Sequence, residues 1–244
     1  MNASFVLAVI AAGATASASD TPFVLNATAE ATIVDSDTTA IGRGKAFVGT
    51  TNFGQLRRAL VRFDLSSLPD GEVATAELAV EITDLAAGGP FTAGVHRVLT
   101  DWNEGPALGG GRAGGIPLPA GPDDATWSAT GLGTMWANQG GDFVATATSS
   151  RTMPGIGDTV FFDVTDDVRA FRDGTTNYGW ILVSQSEGVS QQVAGLSTDD
   201  MVFSVEPMRL EVFIASGNPA DLAPPFGVLD LADVDAFIAA FLGG

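Results

Sequence analysis

The chain has no cysteine, and among its 244 residues it has one histidine, one tyrosine and one lysine. Without cysteine there are no disulfides, no thiolate metal sites and no thiol nucleophile. A single histidine excludes metal centres built from several imidazoles. A serine triad would have to use His96, and no Gly-x-Ser-x-Gly elbow accompanies it, so His96 reads as a buried or strand-borne residue. Positive charge is scarce too. Eleven basic residues stand against 29 acidic ones, a net charge of −18, which argues against nucleic acid as a partner because phosphate binding needs clustered cations. No stretch is long and apolar enough for a membrane helix.

What is present points to export and to β structure. Phe5 to Ala12 forms a short apolar run, and Ala16-Ser17-Ala18 follows as a small-residue cleavage site. Residues 1–18 are therefore expected to be a secretory signal, although no Lys or Arg precedes the run. Short segments then recur between Gly, Pro, Asp and Ser: "ATAEATIV", "RALVRFDLSSL", "TAELAVEITDL", "DTVFFDVT", "YGWILVSQ" and "MRLEVFIAS". Ala76, Leu78, Val80 and Ile82 alternate with Glu77 and Glu81, while Val61, Phe63 and Leu65 oppose Arg62 and Asp64. One-sided strands of this kind belong to antiparallel sheets and favour a sandwich. After "DTVFFDVT" a short helix is expected, with Thr165 as its cap, Asp166 and Asp167 in its first turn, Val168 and Phe171 facing inward and Gly174 at its end.

Between Ala86 and Gly157 the periodicity breaks down into Gly-rich loops. Trp102, Trp127 and Trp136 fall there, able either to stack on sugar rings or to plug the sandwich. Asp101, Glu104, Asp123, Asp124 and Asp142 lie in the same region, and no spacing selects two of them as a hydrolytic pair. Arg43, Lys45, Arg57, Arg58 and Arg62 crowd into one early window. Arg57, Arg58 and Arg62 suit the carboxylates of an acidic polysaccharide, or equally a solvated strand face.

Read in order, "GTTNFGQLRRALVRFDLSSLPDGEVATAELAVEI", "VLTDWNEG", "DDATW", "MWANQGGDF", "FFDVTDDVRAFRDGTTNYGWILV" and "MRLEVFI" resemble the DNRLRE-domain proteins, a group of exported bacterial β-sandwiches. The resemblance spans about residues 27 to 214. It implies a jelly-roll-like module of secreted and cell-surface proteins, some of whose relatives are grouped with carbohydrate-binding modules for acidic polysaccharides.

The closing residues, "DLAPPFGVLDLADVDAFIAAFLGG", are similar to the dockerin-type ends of exported proteins from high-GC bacteria. Dockerins carry two calcium loop-helix units, and this chain ends after one. Asp221, Asp230 and Asp233 fall at ligand positions of such a loop, but Ala223 and Pro225 occupy two others, so calcium would need main-chain and water oxygens as well. Val234, Phe237, Ile238 and Phe241 form one apolar helical face suited to docking on a cohesin-like or other protein.

The expected organisation is a signal over residues 1–18, an all-β antiparallel, jelly-roll-like sandwich over 19–215, and a linker with a helical appendage over 216–244. The expected role is a non-catalytic extracellular module that binds polysaccharide or a cell-envelope component and is attached through its tail. A glycosidase or polysaccharide lyase using the loop carboxylates, and a purely structural surface protein, are the competing readings.

Overall fold

A computed structural model describes residues 21–109, 111, 115–201, 206–215 and 234. Its strands are β1 (Phe23–Val34), β2 (Thr39–Ala40), β3 (Arg43–Gly44), β4 (Ala46–Thr50), β5 (Leu56–Phe63), β6 (Val73–Leu85) and β7 (Phe91–Arg97). They continue with β8 (Leu108–Gly109), β9 (Leu118–Pro119), β10 (Ser149–Met153) and β11 (Thr159–Asp163). The helix α1 (Thr165–Arg172) comes next, then β12 (Trp180–Ser184), β13 (Gln192–Leu196) and β14 (Arg209–Ile214).

These strands form an antiparallel sandwich, with the two-residue β3–β8 contact the only parallel pairing among the described strands. One sheet runs β1-β14-β6-β11. The other runs β10-β7-β12-β5, where β5 is flanked by β1 and, at its start, by β4. The two longest strands serve both sheets. Phe23–Asn26 of β1 pair with β14, and after a register shift between Ala27 and Ala29 the rest of the strand pairs with β5. β6 gives Val73–Ala79 to β14 and Ile82–Leu85 to β13. A bulge lets one long strand turn the corner between sheets. With β13 on β4 and β4 on β5, the ladder β1-β14-β6-β13-β4-β5 returns to β1 and closes.

The core lies where the alternation places it. Val61, Phe63, Ala76, Leu78, Val80 and Ile82 are all buried in one cluster, with Leu65 packed against it. Phe162 of β11 and Trp180 of β12 face the same interior.

Helix α1 closes one end of the sandwich. Val168 and Phe171 point inward, the Phe171 ring meets Trp180 edge-on at 5.4 Å, and Arg169 donates to the main-chain oxygens of Val73 and Ala74. Gly174, just past the helix, has φ +101°, a conformation suited to a residue without a Cβ. The capping differs from expectation. Val164 is the N-cap and contributes no side-chain bond; Asp163 instead accepts from the N–H and hydroxyl of Thr165, which lies inside the first turn.

Among the described residues no helix is long and apolar enough to cross a membrane. Residues 1–18, expected to be a secretory signal, and the tail residues Asp221, Asp230, Asp233, Phe237, Ile238 and Phe241 lie outside the described residues. Val234 is helical and 51% exposed.

Candidate functional site

The second sheet has two buried faces. Ala59-Leu60-Val61 in β5 and Trp180-Ile181-Leu182 in β12 are continuous apolar runs, so alternate members must be covered from outside. Ala29, Ala31, Ile33, Leu60 and Ile181 form a separate cluster, and its cover is the Gly-rich stretch between β7 and β10. This irregular segment is tied down in detail. Val98 bridges to Phe143, and Ala129 to Met135. Asp124 accepts from the N–H groups of Ala107 and Gly121. Asp142 accepts from the N–H groups of Ala137 and Asn138, the Asn138 amide and the Thr100 hydroxyl.

Trp102 and Trp136 are plugs in this cover. Both are buried, and their indole N–H groups donate to Tyr178 O at 2.8 Å and Thr126 O at 3.0 Å. They offer no face to a sugar from outside, which corrects the expectation that they contact ligand. Trp127 differs, being only half-buried.

The early basic window is dispersed by the pleat. Neighbouring residues of β5 point to opposite faces. Arg57 is 1% exposed, and burial pushes its guanidinium down to about 10 despite the favourable charge of Asp35. It too is withdrawn from any external ligand. Arg58 emerges into the cover, where Nε and Nη2 grip both carboxylate oxygens of Glu187 at 2.7 and 2.8 Å and Nη1 donates to Gly140 O at 2.7 Å. Its guanidinium lies 4.7 Å from the Trp127 ring centroid and 5.4 Å from that of Phe143. Gly140 has φ +84°, and a Cβ there would strike both Arg58 and Trp127. Arg62 is held by Asp101 at 2.6 Å over the ring of Trp102. No free cationic patch results from Arg57, Arg58 and Arg62.

His96 sits in β7 with Nδ1 2.9 Å from Val144 O and its ring against Phe143. Asp101, Glu104, Asp124 and Asp142 are each engaged with main-chain N–H groups.

An acidic node that sequence reading did not single out lies where β1 meets the segments around residues 43, 104 and 199. Glu30 is 4% exposed. Its Oε2 accepts from Asp199 N at 3.0 Å, and its own N–H donates to Glu104 Oε2 at 3.2 Å. Oε1 of Glu30 is buried without a hydrogen-bond partner. Burial, then a side-chain hydrogen bond shared with Asp199 and the charges of Asp199 and Glu104, push the Glu30 carboxyl up to about 9. Burial also raises that of Glu104. Arg43 binds Asp200 at 2.7 Å, holding it below the usual carboxylate range, and its Nε also lies 4.0 Å from Glu104 Oε1. Among the described residues, no three acidic or histidine side chains form a ready-made metal cage.

In comparisons with known proteins, no family model and no curated protein matches this chain.

Proposed function

We propose that this chain is a non-catalytic module of the bacterial cell surface or exterior that binds polysaccharide through the loop cover of its second sheet. The observation that carries this reading is the clamped pair of Arg58 and Trp127. A half-buried indole is held by a guanidinium that is itself fixed by Glu187, Gly140 and Phe143. Preorganised aromatic groups lose little entropy on binding and suit the apolar faces of sugar rings. Arg58 and Arg62 each carry a carboxylate partner, so a ligand meets donors and acceptors together rather than a net positive field. That favours a hydroxyl-rich, uncharged polysaccharide over an acidic one, as does the net charge of −18. The DNRLRE resemblance and the antiparallel sandwich are compatible with it.

A glycan array on the full chain, followed by a reducing-sugar assay on each glycan bound, tests the proposal. Binding of a neutral glycan that Trp127→Ala weakens tenfold or more, without release of reducing ends, is the expected result. Turnover would assign an enzyme instead, and the absence of any binding would leave a structural surface protein.

A further inference from the structure

Glu30 and Asp199 pose a question of proton count. Their side chains hydrogen-bond to each other, and two ionised carboxylates cannot do so, because each only accepts. No neighbouring group supplies the hydrogen. Oε1 of Glu30 has no donor to accept from, and the crevice that Glu30 lines together with Lys45 is too narrow for water. The proton therefore sits on the pair itself. Burial assigns it to Glu30, which is 4% exposed, whereas Asp199 is exposed and water solvates its charge. The raised Glu30 carboxyl agrees with that assignment.

We infer that Glu30 and Asp199 share one proton, and that this proton fastens the segments around residues 104 and 199 to β1, closed from acid to neutral pH and open in alkali. Two further bonds run through the same junction: Glu30 Oε2 accepts from Asp199 N, and Glu30 N donates to Glu104 Oε2. The charged groups around Glu30 are Asp199 and Asp200 from one segment, Glu104 from another, and Arg43 and Lys45 at β3, while β5 places Val61 opposite it. Arg43 is divided between Asp200 and, at 4.0 Å, Glu104, and neither cation is ion-paired with Glu30. Removal of the proton by hydroxide leaves the carboxylates of Glu30, Asp199 and Glu104 around a crevice without water. The junction has no slack to separate them in place. Gly42 already packs against the main-chain oxygens of Glu104 and Gly105 so closely that a Cβ would collide with both. Ala107 O accepts from the N–H groups of Gly42 and Arg43, so a movement at Glu104 reaches Ala107. The fastener stands whether or not the chain binds glycan.

The test is an NMR pH titration of the full chain, labelled with carbon-13 at glutamate carboxyls and alanine methyls. The Glu30 signal is the one lost in Glu30→Gln; should that variant fail to fold, sequential assignment identifies it. The signal is expected to titrate about two pH units or more above the usual glutamate range. In Asp199→Asn, which removes the facing charge and offers an amide donor, it should titrate about one unit lower or more. The Ala107 methyl should shift in step with Glu30, whereas that of Ala93, buried in β7, should not. In Glu30→Gln the Ala107 methyl should hold its position through the same alkaline range, because a glutamine amide donates to Asp199 at any pH. A Glu30 signal in the usual range would show that Lys45 or Arg43 compensates an ionised Glu30, and would overturn the inference. A high titration that Asp199→Asn leaves in place, or that Ala107 does not follow, would reduce Glu30 to an isolated buried acid and overturn the fastener.

Discussion

The indole N–H of Trp180 donates to Oδ2 of Asp167 across 2.9 Å, joining the floor of the sandwich to the helix that closes it. The same oxygen accepts from the Thr148 hydroxyl at 2.6 Å. Asp167 was expected in the first turn, where it favours the helix dipole; here it is also 8% exposed and holds three segments together. Asp167→Ala leaves a buried indole N–H and a hydroxyl unsatisfied, and should cost about 2–4 kcal/mol. Urea unfolding checks this. In the double variant with Trp180→Phe the loss should be less than additive, because one orphaned donor is removed with its acceptor.

Phe63 is 1% exposed, with its ring centroid 6.1 Å from that of Trp180. Phe63→Ala should destabilise the fold by about 3–5 kcal/mol, and Phe63→Leu by much less, since most of the volume is kept. Equal melting curves for parent and alanine variant would place this residue outside the core.

Much of this core was legible in the sequence. Alternation in β5 and β6 identified the inward residues because one face of each meets the interior while Arg62, Glu77 and Glu81 stay partly open to solvent. The short helix was legible from its acidic start and Gly174. β4 and β13 escaped notice, being five residues each with a glycine inside, and Gly94 interrupts β7. The cover between β7 and β10 was illegible for a different reason. Its order comes from carboxylates gathering main-chain N–H groups and from buried indoles, neither of which has a period. One signal was available: three consecutive apolar residues in β5 and in β12 imply a sheet covered on both sides. Glu30 looked like an ordinary polar position in an alternating strand, and only the fold brings Glu104 and Asp199 against it.

Asp142 predicts how the cover responds to acid. Burial opposes its ionisation, but four hydrogen bonds outweigh that and hold the carboxyl below its usual value. A depressed carboxyl contributes stability that is present above its unfolded value and lost as pH falls through the folded one. Amide exchange over residues 136–142 should therefore accelerate below about pH 4, the ordinary aspartate range. Asp142→Ala should show the faster exchange already at neutral pH, at a global cost of about 2 kcal/mol.

Glu30 gives the opposite slope. Its carboxyl is raised from 4.5 to about 9, so its contribution is full below 4.5 and is lost progressively as pH rises toward 9. The groups facing it are Asp199, Glu104 and, one step out, the Arg43–Asp200 pair. Denaturation midpoints measured across that window should fall with pH in the parent and flatten in Glu30→Gln. A parent slope no steeper than that of Glu30→Gln would show that Glu30 is not held neutral in the fold.

Closure of the ladder also dictates an order of events during synthesis. The first described strand, β1, finds part of its partner in β14, with Phe23 opposite Val212 and Asn26 opposite Arg209. β6 likewise waits for β14 along Val73–Ala79. A chain emerging from the ribosome therefore carries two incomplete strand edges until residue 214 has been made. Pairings this distant in sequence form slowly, and exposed edges meanwhile invite pairing with other chains. Translation that stalls before Arg209 leaves a product able to recruit a β14 from another copy, which makes domain exchange the failure mode built into this topology.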